Sequence, residues 1–565
     1  MNTGVRSRAV RFACLATALC GGYAEGAAAA PITLAANDEV LRAWQVVAQN
    51  ESGSPSLNQG DAGATVIEWH GSASVESYDR DVVGDSTLSA LKSGSFYKAT
   101  VQGDLRETAP SGTLNYMQFA ATHSNDNSVI TQDAQLDMFR TGVVAQEYGF
   151  TVGDVTSSYS TLGTNTSLRG VSAYRQVGNT MLSASVGSMA ESWSALAGTA
   201  IRTRYLSNAY AAKADFSAGQ YGRIYVTTQG FNDDQSSLDA SQQSYAAADA
   251  TTHTAGFSYQ RDTLGVRGEY GGSSWHEKGG STYDDHASVI DGEWRGETGG
   301  IRAGHHDIGR YYSSLSADVT AGIRESYLAG DWAPTTWLGV AADLRSSRNN
   351  AAYYATDVRD TDALSLNANI SLEKWLSGLQ LNVQHARSAG RTVDDSRQDT
   401  DSSGATLSYA AAYWGAQLGT THQRTDDIAM PGSSSKSVLW NGSVNLTLNR
   451  NPETADVWNG QLALNLSSQH QDLANGTSTD SNNYDLSLNA QRSEWGTLTL
   501  SVGQGVLTQP DGGPDLKQQR LQLDASHPWG ESNVVRLYVR RDANDGDQVS
   551  HYSERTVGLQ LSTVW

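Results

Sequence analysis

Apolar and polar residues alternate along most of this chain, and a period of two residues predicts β-strands. In residues 461–467, Leu462, Leu464 and Leu466 are separated by small or polar residues. A strand with this pattern has one apolar face and one polar face. The same alternation recurs in residues 364–370, 379–384 and 445–448. The fold class predicted from this pattern is all-β.

Two kinds of connection join these strands in strict alternation. Short connections include residues 528–530, 494–496, 414–415, 374–376, 294–296, 262–265 and 147–149. Between them lie longer polar stretches, such as residues 232–252, 275–286, 346–362, 388–404 and 471–482. Counting from Trp69 to Trp565 gives about 26 strands, within a range of about 22–26, the size of the largest membrane β-barrels. The sequence therefore predicts a single transmembrane antiparallel β-barrel.

Tryptophan placement supports this prediction. Of the 14 tryptophans, eight lie at predicted short connections: Trp294, Trp332, Trp337, Trp375, Trp414, Trp458, Trp495 and Trp529. Trp565 lies at the same level. A ring of indoles at one rim is typical of a membrane barrel, since an indole can bury its ring in lipid while its N–H stays hydrated. Short turns are periplasmic in such barrels.

The last predicted strand, residues 557–565, places Leu559, Leu561 and Trp565 on its apolar face, whereas Gly558 belongs to the opposite face. These four residues resemble the C-terminal signal of bacterial outer-membrane barrels, with Trp565 in place of the usual Phe. The resemblance implies recognition by barrel-assembly machinery. We expect this strand to close against the first strand, near residues 69–78.

The N-terminal residues predict the compartment independently. Arg6, Arg8 and Arg11 precede a short apolar run, and small residues at 27–30 offer a cleavage site, which is the pattern of a signal peptide over residues 1–30. Cys14 and Cys20 both lie within it, so the mature chain would contain no disulfide. Residues 31–63 follow as a periplasmic or lumenal segment with a short amphipathic helix, and residues 64–565 form the barrel.

Composition argues against a nucleic-acid-binding protein and against a helical membrane protein. The 565 residues include 56 Gly, 25 Tyr and only 9 Pro, and the formal net charge is −21. An acidic chain of this kind disfavours nucleic acid as a partner, because nucleic-acid binding depends on neutralising phosphates. The mature sequence contains no apolar run as long as a membrane-spanning helix requires. The predicted location is the outer membrane of a Gram-negative cell.

A local string carries a family resemblance. Residues 149–154 read Gly-Phe-Thr-Val-Gly-Asp, and after a predicted hairpin the chain continues with Arg169 and Gly170. This arrangement resembles the early barrel strands of fimbrial ushers and of other large export barrels. Asp154 and Arg169 are symmetric about the hairpin centre, so we expect them to face each other as a structural pair.

Alternation also predicts which side chains line the lumen. The predicted lumen-facing residues are Asn367, Asn369, Gln380, Asn382, Gln384, Asn465, Arg520, Asp524, Arg536 and Arg540. Acidic and histidine residues near 276–286 and 305–307 permit metal binding but their spacing does not demand it. The sequence shows no motif of a barrel phospholipase or protease. We therefore expect no metal, no cofactor and no enzymatic activity.

The predicted function is an outer-membrane translocation or export pore, or a conduit, for a hydrophilic polymer or protein. A tube this wide needs something to fill or gate it: residues 31–63, inward-folded loops such as 232–252 and 388–404, or a periplasmic partner acting as a plug. Two alternatives remain open. The barrel could sheathe a periplasmic partner, or act as an adhesive surface through loop tyrosines, namely Tyr283, Tyr311, Tyr312, Tyr353 and Tyr354.

Overall fold

The computed structural model describes residues 65–84, 91–130, 134–199, 202–238, 246–315, 319–349, 358–392, 396–428, 431–449, 457–492, 494–508, 515–546 and 549–565. The predicted signal peptide and the predicted helical segment of residues 31–63 lie outside these ranges. They stay predictions.

The first half of the barrel contains thirteen strands. Their bounds are β1 Val66–Gly84, β2 Gly94–Thr108, β3 Leu114–Ser124, β4 Ala134–Val144, β5 Tyr148–Ser158, β6 Asn165–Val177, β7 Thr180–Met189, β8 Leu206–Ser217, β9 Gly222–Asp234, β10 Ala248–Arg261, β11 Leu264–Glu277, β12 Thr282–Arg295 and β13 Gly299–Ile308. A one-turn helix, α1, Trp193–Leu196, lies between β7 and β8.

The second half contains thirteen more strands. Their bounds are β14 Ile323–Thr335, β15 Leu338–Asn349, β16 Arg359–Ser371, β17 Leu379–Thr392, β18 Arg397–Ala410, β19 Trp414–Asp427, β20 Ser435–Thr447, β21 Asn459–Leu473, β22 Ser478–Arg492, β23 Gly496–Thr508, β24 Leu516–Pro528, β25 Asn533–Gly546 and β26 Val549–Val564. Short 3-10 turns cover Gln235–Ser237 and Pro431–Ser433.

Each strand pairs antiparallel with the next strand in sequence, and β1 pairs with β26. The closing register runs from Ser72 opposite Val564 to Gly84 opposite Tyr552. The predicted closed antiparallel barrel and the predicted 26 strands are therefore confirmed. Pairing between β1 and β26 means that neither of these two strands presents an open edge, whose unpaired backbone groups lipid could not satisfy.

No helix in the described part of the chain is long and apolar enough to cross a membrane.

The register assigns every strand the same two faces around the barrel, because cross-strand partners share a face. Leu381 pairs with Leu407, and Leu407 pairs with Leu418. Leu407 and Leu418 are 44% and 59% exposed although they are apolar. This face contacts lipid in a membrane barrel, and the opposite face, rich in Asn, Gln, Ser and Thr, lines the lumen.

The connections alternate between two rims, which we name the turn rim and the loop rim. The turn rim carries the short connections after even-numbered strands, together with the start of β1 and the end of β26. All eight predicted turn tryptophans and Trp565 are exposed, from Trp458 at 37% to Trp375 at 82%. The turn rim is the periplasmic rim in barrels with this arrangement.

Several predicted long loops are shorter than expected. Residues 388–404 are predicted to form one loop, but β17 extends to Thr392 and β18 begins at Arg397. Likewise, β11 and β12 leave only four residues between Glu277 and Thr282. The strands extend past the apolar belt, and there they carry polar side chains on both faces. The sequence of these strand ends therefore resembles that of a loop.

Candidate functional site in the lumen

A hairpin leaves the barrel wall and folds into the lumen. Pairing between β4 and β5 covers only Arg140–Val144 with Gly149–Gly153. Pairing between β6 and β7 begins at Arg169 opposite Ser188. In contrast, β5 and β6 stay paired as far as Ser158 opposite Asn165. Residues 154–168, which we name the inward hairpin, are thus paired with each other and not with the flanking wall strands.

The departure point is a glycine. Gly153 has φ +114°, a conformation that residues with a side chain rarely adopt. A Cβ atom there would lie 2.1 Å from the backbone oxygen of Phe139. Gly153 therefore allows β5 to turn out of the wall while it stays in contact with β4.

Asp154 anchors the root of the inward hairpin. Its carboxylate accepts hydrogen bonds from the backbone N–H of Phe139 (2.7 Å) and from Nε1 of Trp193 in α1 (2.8 Å). The Nε atom of Arg169 lies 3.5 Å from Oδ1 of Asp154. The Arg169 guanidinium also lies 5.8 Å from the centre of the Trp193 ring. These contacts join the hairpin, β4 and α1 where the wall pairing is lost.

Glu269 of β11 holds the tip of the inward hairpin. One carboxylate oxygen accepts the backbone N–H groups of Thr161 (3.0 Å) and Leu162 (3.2 Å) and the hydroxyl of Tyr225 (3.1 Å). The Glu269 residue is only 6% exposed. Hydrogen bonds to a buried charged acceptor are stronger than neutral ones, so Glu269 is the main polar attachment of the tip.

Hydroxyl contacts along its length tie the hairpin to the lumenal wall. The Ser157 hydroxyl donates to the Ser185 hydroxyl of β7 (2.7 Å), and the Thr164 hydroxyl donates to the amide oxygen of Gln229. Both wall partners lie on the polar face. The hairpin therefore lies against the inner surface of the barrel.

A second segment between β13 and β14, described for residues 309–315 and 319–322, covers the hairpin; we name these residues the covering loop. Ser314 donates to the backbone oxygens of Leu162 (2.9 Å) and Gly163 (2.6 Å), and Tyr312 donates to that of Leu162 (3.1 Å). Leu162 is fully buried against Ala287, Val289 and Tyr312. Val155 and Leu168 pack in the same way on Ala209 and Leu315.

Tyr312 is 3% exposed. Burial raises the pKa of its hydroxyl well above the ordinary range, with a smaller contribution from Glu269, so the hydroxyl stays protonated and donates. The prediction that Tyr312 is a loop tyrosine of an adhesive surface is wrong, because its ring is buried as a core contact of the covering loop. Tyr353 and Tyr354 lie outside the described residues.

Among the described residues, the segments that fold inward differ from those predicted. The predicted candidate 388–404 is mostly strand, whereas 232–252 is strand as far as Asp234 and again from Ala248. The described residues that occupy the lumen are 159–164 and those of the covering loop. The sequence signal that could have identified them is Gly153-Asp154, since a glycine inside a strand pattern marks an irregularity in the ladder.

All the predicted lumen-facing residues lie on the polar face. Asn367 pairs with Gln384, and Asn369 pairs with Asn382, whose side-chain amide donates to Oδ1 of Asn369 (2.7 Å). Gln380 follows at the same face opposite Ser408. Asn465 faces inward between Leu464 and Leu466, which are 39% and 43% exposed on the lipid face.

The predicted lumenal charges form a ladder near the closing seam. Arg536 donates to both carboxylate oxygens of Asp524, and Arg520 donates to Asp542 (3.3 Å). Arg536 and Arg540 lie on either side of Tyr538, at 5.4 and 5.1 Å from its ring centre.

The predicted assembly residues lie at the seam between β1 and β26. Leu559 and Leu561 are 47% and 46% exposed on the lipid face. Gly558 faces the lumen, where a Cβ atom would lie 2.3 Å from the Tyr538 ring. Trp565 exchanges two backbone hydrogen bonds of 3.0 Å with Gly71.

The histidine and acidic residues considered for metal binding lie apart or bind other groups. His276 contacts Asp249 (3.1 Å), His306 contacts Asp291 (2.8 Å) and His305 contacts the hydroxyl of Ser326 (2.8 Å). Within the described ranges, no group of three or more His, Cys, Asp or Glu residues is arranged to hold a metal ion.

No family model and no curated protein matches the chain. Solved structures with a similar fold include a chain of the E. coli P pilus tip assembly intermediate PapC-PapD-PapK-PapG, with 11% identity over 90% of this chain and a TM-score of 0.47. The siderophore receptor PirA from Pseudomonas aeruginosa has 10% identity over 88% of this chain and 80% of its own, with a TM-score of 0.38. Pseudomonas aeruginosa OpdK, solved with vanillate, has 14% identity over 57% of this chain and 94% of its own, with a TM-score of 0.29. The chain spans 64% of the length of the matched pilus-assembly chain.

The closed barrel, its apolar outer belt and its rim of exposed indoles are the features of a protein that spans the outer membrane. Its interior is polar and partly occupied by its own hairpin. This chain is a large Gram-negative outer-membrane β-barrel of 26 strands.

Proposed function

We propose that the barrel is a translocation or export pore whose lumen passes, or sheathes, a hydrophilic polymer or protein, and that it performs transport and no catalysis. The observation that supports this proposal is the inward hairpin. Barrels of 16 to 18 strands already contain an aqueous channel. A wider barrel needs an internal obstruction to prevent leakage, and residues 154–168 with the covering loop supply one.

The attachment of the hairpin suits a gate. Its contacts with the lumenal wall, among the described residues, are a few hydrogen bonds that Glu269, Ser185 and Gln229 accept, and two small apolar clusters. Each such hydrogen bond contributes about 1 kcal/mol net. The hairpin can therefore detach from the wall without disturbing the strand pairing that closes the barrel.

A reversible crosslink tests this proposal. The Ser157 and Ser185 hydroxyls are 2.7 Å apart, so the double variant Ser157→Cys and Ser185→Cys can tie the hairpin to β7. The mature chain would contain no other cysteine. We expect low conductance in planar bilayers when the pair is oxidised and gated openings after reduction. The matched control is Thr227→Cys with Thr254→Cys, a buried hydroxyl pair 2.8 Å apart between two wall strands.

The control pair should conduct like the wild type in both redox states. A bilayer that stays silent for the wild type, for the reduced variant and for a variant that lacks residues 31–63 would contradict the pore. We further propose outer-membrane lipid and the assembly machinery as partners, and a periplasmic protein as an occupant of the lumen.

A second candidate function is adhesion through the loop rim. Trp275 stacks on Tyr283 with ring centres 5.5 Å apart, and Tyr283 stacks on Tyr311 at 4.4 Å. Tyr311 is 40% exposed, so its ring can stack on a ligand. Under this proposal Tyr311→Ala should reduce attachment of cells to a surface. Unchanged attachment would exclude an adhesive role for this stack.

A further inference from the structure

The inner surface of β16–β23 is almost free of charge. The register identifies the residues of these eight strands that share a face with Asn367, Gln384 and Asn465. On the described part of this face the charged residues are Asp485 and, at the loop-rim ends of their strands, Arg359 and Asp427. We name this surface the amide wall.

The amide wall is the accessible side of the lumen. Its exposed carboxamides are Asn369, Gln380, Gln384, Gln417, Gln423, Gln461, Asn465, Asn483, Asn489 and Gln491. The inner face of β8–β12 differs from the amide wall both in charge and in accessibility. It carries charged residues such as Lys213, Asp215, Glu269 and Asp291, which are at most 8% exposed, and the inward hairpin lies against it.

The chemistry of the amide wall suits hydroxyl groups. A carboxamide presents a donor and an acceptor side by side, and a hydroxyl group can use both. Side chains on one face repeat about every 7 Å along a strand and about every 5 Å between strands. A polymer with hydroxyl groups along its length can therefore exchange one amide partner for the next as it moves.

The amide wall presents few groups that would bind charged or aromatic polymers. Charged chains meet no array of opposite charges there. The aromatic residues of these strands, including Tyr409, Trp414, Trp440 and Tyr484, share the lipid face with Leu407 and Leu418. The wall therefore lacks stacking platforms that would hold an unfolded polypeptide or trap a sugar tightly.

We propose that the amide wall is the binding surface for a neutral, hydroxyl-rich polymer, that is, an uncharged glycan. This inference rests on the proposed pore function and specifies its substrate class. It also assigns different roles to the two sides of the lumen, since β8–β12 hold the gate and β16–β23 contact the cargo.

Affinity electrophoresis tests this assignment without requiring conductance. The full chain, solubilised in detergent, is run on native gels that contain dextran, carboxymethyl dextran or polyethylene glycol of matched hydrodynamic radius. We expect dextran to retard the barrel more than either other polymer. The triple variant Gln384→Ala, Gln417→Ala and Asn465→Ala should weaken retardation by dextran at least about threefold, as expected for lost hydrogen bonds.

The matched control is Gln519→Ala, which removes an exposed amide on the opposite face of β24 and should leave retardation by dextran unchanged. Equal retardation by dextran and polyethylene glycol would overturn the proposal, as would stronger retardation by carboxymethyl dextran. Conductance without retardation by dextran would contradict the amide wall alone, whereas retardation without conductance would contradict the pore.

Discussion

Asp154 and Arg169 face each other across the root of the inward hairpin, with Nε of Arg169 3.5 Å from Oδ1 of Asp154. This pair lies one residue beyond Gly153, where β5 ends its pairing with β4. It therefore stabilises the point at which the chain changes from barrel wall to lumenal hairpin.

Replacement of Asp154 by Ala should loosen the hairpin root. The variant loses the acceptor for the Phe139 N–H and for Nε1 of Trp193, and leaves Arg169 without its carboxylate. Loss of hydrogen bonds to a charged group costs about 2–3 kcal/mol, most of it local to the hairpin. Hydrogen exchange should rise in residues 154–168 and stay unchanged in β16–β23. The control Asp472→Ala, which removes an exposed carboxylate, should leave hydrogen exchange unchanged in both regions.

Replacement of Glu269 by Ala should open the gate more often. The substitution removes the acceptor that Thr161, Leu162 and Tyr225 share. A loss of about 3 kcal/mol from the closed state would raise the open fraction by roughly a hundredfold, up to saturation. Single-channel recording measures this fraction. Glu293→Ala, at an exposed lumenal carboxylate nearer the turn rim, is the control, and an equal effect there would exclude a specific role for Glu269.

Acid should release the loop between β3 and β4. Asp126 accepts hydrogen bonds from Tyr78 (2.5 Å), Arg80 (2.8 Å) and the Ser128 N–H (2.9 Å). Burial raises the pKa of Asp126, but the bonds from Ser128, Tyr78 and Arg80 outweigh it and lower the pKa to about 2. Because the folded-state pKa is below its ordinary value of 3.8, the stabilisation is complete above about pH 4 and is lost as the pH falls towards 2.

The measurement is hydrogen exchange of residues 125–130 between pH 4.5 and 2, corrected for the intrinsic rate. Asp126→Asn removes the titration, so its corrected rates should be high and constant across this range. A wild-type loop whose protection is unchanged at pH 2 would contradict the assigned role of Asp126.

The strand number could be predicted from the sequence because lipid imposes a strict alternation. Leu462, Leu464 and Leu466 must face the membrane, and each short turn ends one strand and starts the next. Loop lengths could not be predicted equally well. Strand segments beyond the membrane, such as those near Thr392 and Arg397, meet water on both faces, so the alternation that identifies a strand disappears.

The gate could be predicted only in part. The symmetry of Asp154 and Arg169 about a hairpin is a local feature of the sequence, and their register could be inferred from it. The inward fold depends on contacts distant in sequence, such as Leu162 with Ala287 and Thr161 with Glu269. Nothing near Glu269 distinguishes it from other lumenal carboxylates, because two of its three partners are backbone N–H groups more than 100 residues away and the third, Tyr225, lies on another strand.

Trp565 closes the barrel through both its backbone and its ring. Its backbone pairs with Gly71, and its indole covers Gly71 so closely that a Cβ atom there would lie 2.5 Å from the ring. Gly71→Val should therefore displace the indole. Trp565→Ala should remove a contact that joins the first and last strands. Both variants should lower the amount of assembled barrel in the outer membrane and increase periplasmic degradation.

Ser562→Ala is the matched control for these two variants. Ser562 lies on the same strand but faces the lumen, where its hydroxyl donates a long hydrogen bond of 3.4 Å to the backbone oxygen of Val534. The measurement is membrane-fraction abundance together with heat-modifiable migration on a gel. A chain that lacks residues 557–565 leaves β1 and β25 with open edges, which lipid cannot satisfy. Wild-type abundance of that chain would refute closure through β26.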